Sequence, residues 1–152
     1  MSQKNLSRRA VIGAGVTSAL AIGVGWAMWP RPGFDGSELS VSQAYEAAQA
    51  GKIILVDIRR PEEWESTGIA EGAHPVDMRR RDFVAALDAL TDGEKTAPIA
   101  LICARGVRSA WLSNRLTEAG YTNIVNVPEG MLGSNAGPGW IDSKLPLQDY
   151  AG

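Results

Sequence analysis

The single cysteine of the chain, Cys103, lies in the segment Ile102-Cys103-Ala104-Arg105-Gly106-Val107-Arg108-Ser109. A thiol at the tip of an apolar run is followed by a short polar loop with one glycine, and then by the first residues of a helix. A loop that curls around the sulfur turns successive backbone N–H groups inward, and the positive end of the following helix reinforces them. Gly106 permits the positive-φ turn that such curling needs. Arg108 adds a fixed positive charge at the helix start. These features favour thiolate over thiol, and equally favour a persulfide anion on that sulfur or an oxyanion beside it. The chemistry they suit is nucleophilic. Cys103 and Arg108 are the catalytic candidates, and Ala104, Arg105, Gly106 and Val107 are the candidate substrate cradle. A lone cysteine beside apolar residues is more often an inert core residue. The polar, arginine-bearing loop at a helix N-terminus argues against that role, because it is not a core environment.

The remaining composition narrows the chemistry. One cysteine allows no intramolecular disulfide, and together with the single histidine, His74, it cannot supply the usual tetrahedral zinc set. No metal site is expected. Three of the 15 basic residues (Lys4, Arg8, Arg9) precede a long apolar run, whereas all 17 acidic residues lie at Asp35 or beyond. The body therefore carries 12 basic against 17 acidic residues, a net charge of −5, which argues against nucleic acid as a partner, since that demands a basic face.

The elements that position the cysteine loop follow from pattern and punctuation. Pro98–Ile102 is a continuous apolar run, as is Lys52–Asp57 up to its closing acid, and both read as strands buried on two faces of a parallel sheet. Gly72–Val76 and Asn123–Val127 read as further strands. Ser40 or Ser42 caps a helix over 41–50 that stops at Gly51. Pro61-Glu62-Glu63-Trp64 has the proline and acids of a helical first turn. Phe83, Leu87 and Leu90 space a helix over 82–90, stopped by Thr91-Asp92-Gly93. A helix over 107–119 ends at Gly120, with Trp111 and Leu112 assigned to the core by spacing. Alternating strands and helices predict an α/β fold with a mainly parallel central sheet and helices on both faces. In such sheets ligands bind beyond the carboxyl ends of the strands, where both Asp57 and Cys103 fall.

Residues 1–29 read separately. A polar, basic opening precedes Ala10–Trp29, twenty uncharged residues that would span roughly 30 Å as a helix. Arg8-Arg9 after Ser7 resembles a twin-arginine export signal. Residues 1–29 are therefore a signal sequence or a membrane anchor through residues 10–29, with the body periplasmic or otherwise extracytoplasmic. Residues 30–38 read as a linker and 39–148 as the domain, with Leu145–Gly152 a short tail.

Several segments together resemble the rhodanese family. Cys103, Gly106 and Arg108 match its six-residue active-site loop. Leu55-Val56-Asp57-Ile58-Arg59 with Pro61-Glu62-Glu63-Trp64 is similar to its Asp-x-Arg…Glu-Glu-aromatic segment. Thr67–His74 is similar to its Gly-His-Ile-Pro-Gly-Ala segment with a variant spacing. Gly120–Val127, Glu129-Gly130-Met131 and Gly139-Trp140 resemble its C-terminal strand and closing segment. The likeness covers about residues 39–146. It implies a rhodanese-like α/β fold with a five-stranded, mostly parallel sheet. It also implies a sulfurtransferase that needs no cofactor and works through a Cys103 persulfide. The donor would be a small sulfur-containing anion such as thiosulfate, and the acceptor a thiol or cyanide. The related phosphatases have a loop longer by one residue, and Arg108 five positions after Cys103 disfavours them. Ala104 stands where efficient thiosulfate users often carry Arg or Lys. The alternative is a non-catalytic persulfide carrier or a partner-binding module.

Other residues have blander readings. Asp57 and Arg59 form a scaffold ion pair, and His74 is a strand-end residue. Arg79-Arg80-Arg81 is a solvated face. Leu132–Gly139 is either a lid or a plain surface loop.

Overall fold

The computed structural model describes residues 33–152. Residues 1–29, read as a twin-arginine signal or a membrane anchor, lie outside the described residues. The elements in chain order are β1 (Ser37–Glu38), α1 (Val41–Gln49), β2 (Ile54–Asp57), α2 (Pro61–Thr67), β3 (Ile69–Ala70), β4 (His74–Pro75), α3 (Phe83–Thr91), β5 (Ile99–Ile102), α4 (Val107–Glu118), β6 (Ile124–Asn126), α5 (Gly139–Asp142) and β7 (Leu147–Gln148).

Five strands form one sheet in the order β1-β6-β5-β2-β4. Every pairing in it is parallel, with Asp57 of β2 opposite Ile102 of β5. Strand β5 lies at the centre and all four of its residues are buried, which is why it reads as an unbroken apolar run rather than an alternating one. Its side chains still alternate. Ile99, Leu101 and Cys103 pack with Phe83, Leu87, Leu112 and Leu116 of α3 and α4, while Ala100 and Ile102 pack with Val41, Ala44 and Trp140 of α1 and α5. Helices thus cover both faces, as the α/β reading expects. Each fully buried aliphatic side chain in these two layers contributes about 1.5–3 kcal/mol by leaving water.

Local chemistry explains where helices begin and end. Ser40 caps α1: its hydroxyl accepts the Gln43 amide at 3.2 Å, and the Gln43 side chain accepts the Ser40 amide at 2.9 Å. Pro61 opens α2 at a position that needs no N–H donor. Helix α3 ends on Asp92 in the left-handed conformation, with Gly93 beyond it.

Three details differ from the sequence reading. Ser37 and Glu38, assigned to the linker, form the sheet's edge strand against β6. The tail contains β7, which pairs antiparallel with β3 in a separate two-stranded ladder. Trp111, assigned to the core, is 50% exposed, and Val107 one turn earlier is exposed too. The inward face of α4 is instead Ser109, Leu112, Ser113 and Leu116. The helix buries small serines against the sheet, and the apolar spacing around Trp111 hides that choice.

Tyr121 links α3 to the turn after α4. Its hydroxyl donates to Asp88 Oδ1 at 2.6 Å. Burial, with the Asp88 hydrogen bond adding to it, pushes the phenol up to about 12. The folded state therefore holds this proton more tightly than the unfolded chain, whose tyrosine titrates near 10. The stability it contributes is complete below about pH 10 and is lost as pH rises towards about 12. Tyr121→Phe should remove that alkaline loss, read as a smaller drop in the urea midpoint between about pH 9 and 11 than wild type shows. Equal drops in the two proteins would contradict the assignment.

Candidate active site

Chain connections leave the adjacent strands β2 and β5 in opposite directions, towards β4 on one side and β6 on the other. Their carboxyl ends therefore flank a crevice of the kind that binds ligands in open α/β sheets. Asp57 closes β2 there and Cys103 follows β5.

Cys103 is 1% exposed and belongs to the apolar layer shared with α3 and α4. This corrects the expectation that it stands outside a core environment. The alternation of β5 runs one residue past the strand and turns the Cys103 side chain to that face. The sulfur nonetheless has polar company. The Ser109 amide donates to Sγ at 3.4 Å, and the Ser109 hydroxyl lies 3.5 Å from it. That hydroxyl also donates to the Gly106 carbonyl at 3.1 Å, which fixes it beside the sulfur. An amide aimed at sulfur from the first turn of a helix stabilises an anionic sulfur, thiolate or persulfide alike.

The loop can curl because Gly106 has φ 81°. A Cβ there would collide with the Pro128 carbonyl, so the position tolerates only glycine in this conformation. The loop is braced from its far side by the chain after β6. The Met131 amide donates to the Cys103 carbonyl and the Leu132 amide to the Ala104 carbonyl, both at 2.9 Å. That brace is held in turn by Glu129, whose carboxylate accepts the amides of Val41 and Gly139, each at 3.1 Å. The segment 132–139 is therefore a pinned surface loop rather than a lid. Ser134 bonds the Pro128 carbonyl at 2.8 Å.

The candidate residues divide between two sides of the loop. Arg108 points towards α2, and its guanidinium is held above the usual range. The largest cause of that rise is Glu63. Arg108 Nη1 and Nη2 donate to Glu63 Oε2 and Oε1 at 2.7 and 2.6 Å, and the Glu63 carboxyl is held below its ordinary range by the same contact. Arg105 points the other way and donates to the Gly133 carbonyl at 3.2 Å. Ala104 is half-buried, Gly106 buried and Val107 exposed. The two loop arginines thus leave in opposite directions, Arg108 to Glu63 on α2 and Arg105 to the Gly133 carbonyl.

Sequence reading missed Ser109 as a sulfur partner and Glu63 as a site residue. Ser109 was legible as the third helical residue after a positive-φ glycine. Glu63 carried no such signal, because it meets Arg108 across 45 positions of sequence. Beside this pair lies an open cleft of about 610 Å³ lined by Arg59, Arg60, Glu62, Glu63, Ser66, Thr67, Arg108 and Leu132.

Behind the cleft, Asp57 and Arg59 form a buried ion pair, 0% and 1% exposed. Arg59 Nη2 donates to Asp57 Oδ2 at 2.7 Å and to the Gly68 carbonyl at 2.8 Å, and Nη1 donates to Thr67 Oγ1 at 2.9 Å. The guanidinium ties the end of β2 to the end of α2, as the scaffold reading expects. His74 is exposed on the edge strand β4. Arg79 and Arg80 pair with Asp77 and Asp82 on the surface. Among the described residues no group of His, Cys, Asp and Glu is placed to hold a metal ion, and no helix is long and apolar enough to cross a membrane.

Comparison with known proteins gives one consistent family. Residues 40–136 match the rhodanese-like domain. An uncharacterized protein of Rickettsia rickettsii is 32% identical over 100 residues, covering 62% of this chain and 81% of its own length. The polysulfide-sulfur transferase homodimer of Wolinella succinogenes superposes with a TM-score of 0.58 at 24% identity, over 76% of this chain and 80% of that one. A rhodanese-like domain protein of Staphylococcus aureus superposes with a TM-score of 0.53 at 24% identity, over 76% of this chain and all of the other. These two superpositions show a common fold.

Proposed function

The chain belongs to the rhodanese-like domain family, and from that premise we propose that it is a sulfurtransferase that carries sulfane sulfur on Cys103. The observation that carries this reading is the Ser109 amide aimed at Cys103 Sγ, at the carboxyl end of the central strand. In the first half-reaction the Cys103 thiolate attacks the terminal sulfur of a donor. With thiosulfate the S–S bond breaks, sulfite leaves with the bonding pair, and a Cys103 persulfide remains. In the second, a thiophilic acceptor (cyanide in an assay, a thiol in a cell) takes the outer sulfur and returns the thiolate. The charge on sulfur stays anionic throughout, so one donor at one place serves both halves. Polysulfide is a further candidate donor, because the Wolinella protein named for polysulfide-sulfur transfer shares this fold.

Two substrates that bind in turn to two enzyme forms, first the thiolate and then the persulfide, give ping-pong kinetics. Varying thiosulfate at several fixed cyanide concentrations should therefore give parallel double-reciprocal lines, and converging lines would contradict the covalent route. In this reading Arg108 faces the incoming anion. Arg108→Ala removes that cation and leaves the Glu63 carboxylate unpaired, so the KM for thiosulfate should rise about tenfold. An unchanged KM would remove Arg108 from the site.

A second reading, a persulfide carrier or partner-binding module with little turnover, is favoured by one observation. Cys103 is almost fully covered, and Arg108 is already engaged by Glu63. A persulfide that forms but turns over slowly in the cyanide assay identifies the carrier. No persulfide at all identifies the module. Export is a separate proposal supported only by Lys4, Arg8, Arg9 and the apolar run after them. It is tested by fractionating cells that express the full chain with and without Arg8 and Arg9 replaced by lysine.

A further inference from the structure

The arginine of the cysteine loop, Arg108, is not free. Both terminal nitrogens of Arg108 are spent on Glu63, at 2.7 and 2.6 Å. Glu63 is itself held in place: its Oε2 also accepts the Arg60 amide at 3.0 Å, at the first turn of α2. The other charges around the cleft balance as well. Arg59 is consumed by Asp57 behind the wall, and Arg60 and Glu62 line the same cleft with opposite signs. A doubly charged anion entering this site meets a neutralised guanidinium and a carboxylate beside it. The cleft of about 610 Å³ is far larger than a thiosulfate ion and is of the size that takes an organic molecule.

We propose that Glu63 is a specificity-determining residue that turns this site away from dianionic donors and towards organic sulfur donors carrying one negative charge. The inference rests on the sulfurtransferase reading and names its substrate class. A thiosulfonate is a convenient probe of that class. The Cys103 thiolate attacks its terminal sulfur, the S–S bond breaks, and a sulfinate leaves with the pair while the persulfide forms. Charge and atoms balance as they do with thiosulfate, and only the charge on the donor differs.

The test compares thiosulfate with benzenethiosulfonate on the full chain, with cyanide as acceptor, in wild type, Glu63→Gln and Glu63→Asp. Removing one negative charge at a half-exposed site should lower the KM about threefold for the singly charged donor and about tenfold for the doubly charged one. The ratio of kcat/KM values should move about threefold towards thiosulfate, and this change should shrink in about 1 M salt. Glu63→Asp keeps the charge and should keep the wild-type ratio. A structural role alone would move both donors equally, and that outcome overturns the inference. If Glu63→Gln does not fold, Glu63→Ala carries the same test, because alanine has the highest helix propensity. Sulfur uptake by wild type with an unchanged ratio in the neutral variant overturns this inference alone. Uptake from neither donor overturns the sulfurtransferase reading and this inference with it.

Discussion

Cys103→Ser is expected to lower sulfur transfer by at least about a thousandfold and to leave the fold intact. The loss is large because a serine hydroxyl at neutral pH is neither ionised nor able to form a persulfide. No second cysteine can substitute, since Cys103 is the sole thiol in the chain. The fold should survive because serine is nearly the same size. Its oxygen can still accept the Ser109 amide, which now donates to sulfur at 3.4 Å. Circular dichroism and a melting curve would check the fold, and cyanolysis would check the activity. Retained transfer in a folded Cys103→Ser protein would remove the cysteine from the mechanism.

The largest expected effect on stability comes from Arg59. Arg59→Ala should destabilise the domain by about 3–5 kcal/mol. The reason is the company its charge keeps. Asp57 is 0% exposed and takes Arg59 Nε and Nη2 on its carboxylate. Without the guanidinium that carboxylate is left buried and unpaired. The Gly68 carbonyl and the Thr67 hydroxyl also lose their donors. The same loss loosens α2, which presents Glu63 to Arg108, so activity should fall along with stability. Urea unfolding of wild type and variant reads the first effect directly. A change under about 1 kcal/mol would mean that the pair contributes no more than a surface bridge does.

The parts of the fold that were legible in the sequence are those with a strong local pattern. Strand β5 is a run of four apolar residues buried on both faces, and Cys103 follows it directly. Helix α2 begins at a proline followed by two acids, and α1 begins at a serine with a glutamine three residues on. Strands β1, β3 and β7 are two residues each, too short to carry a period, and they took their identity from partners elsewhere in the chain. Trp111 misled for a related reason. Helix α4 buries Ser109 and Ser113 beside Leu112 and Leu116, and only the packed sheet decides that these serines go inward. At the site, the loop and its glycine were readable because they are contiguous. The clamp of Glu63 on Arg108 and the bracing of two helix ends by Glu129 join residues distant in sequence, and no spacing rule announces them. Chemistry written within eight residues was visible, whereas the charges that tune it were visible only in three dimensions.

The central claim is that sulfur resides on Cys103 between the two half-reactions. Intact mass of the full chain, before and after thiosulfate or benzenethiosulfonate, tests it most directly. The account predicts a gain of about 32 Da, one sulfur atom, that is removed by cyanide and absent from Cys103→Ser. No gain with either donor, on folded protein with Cys103 reduced, would contradict it.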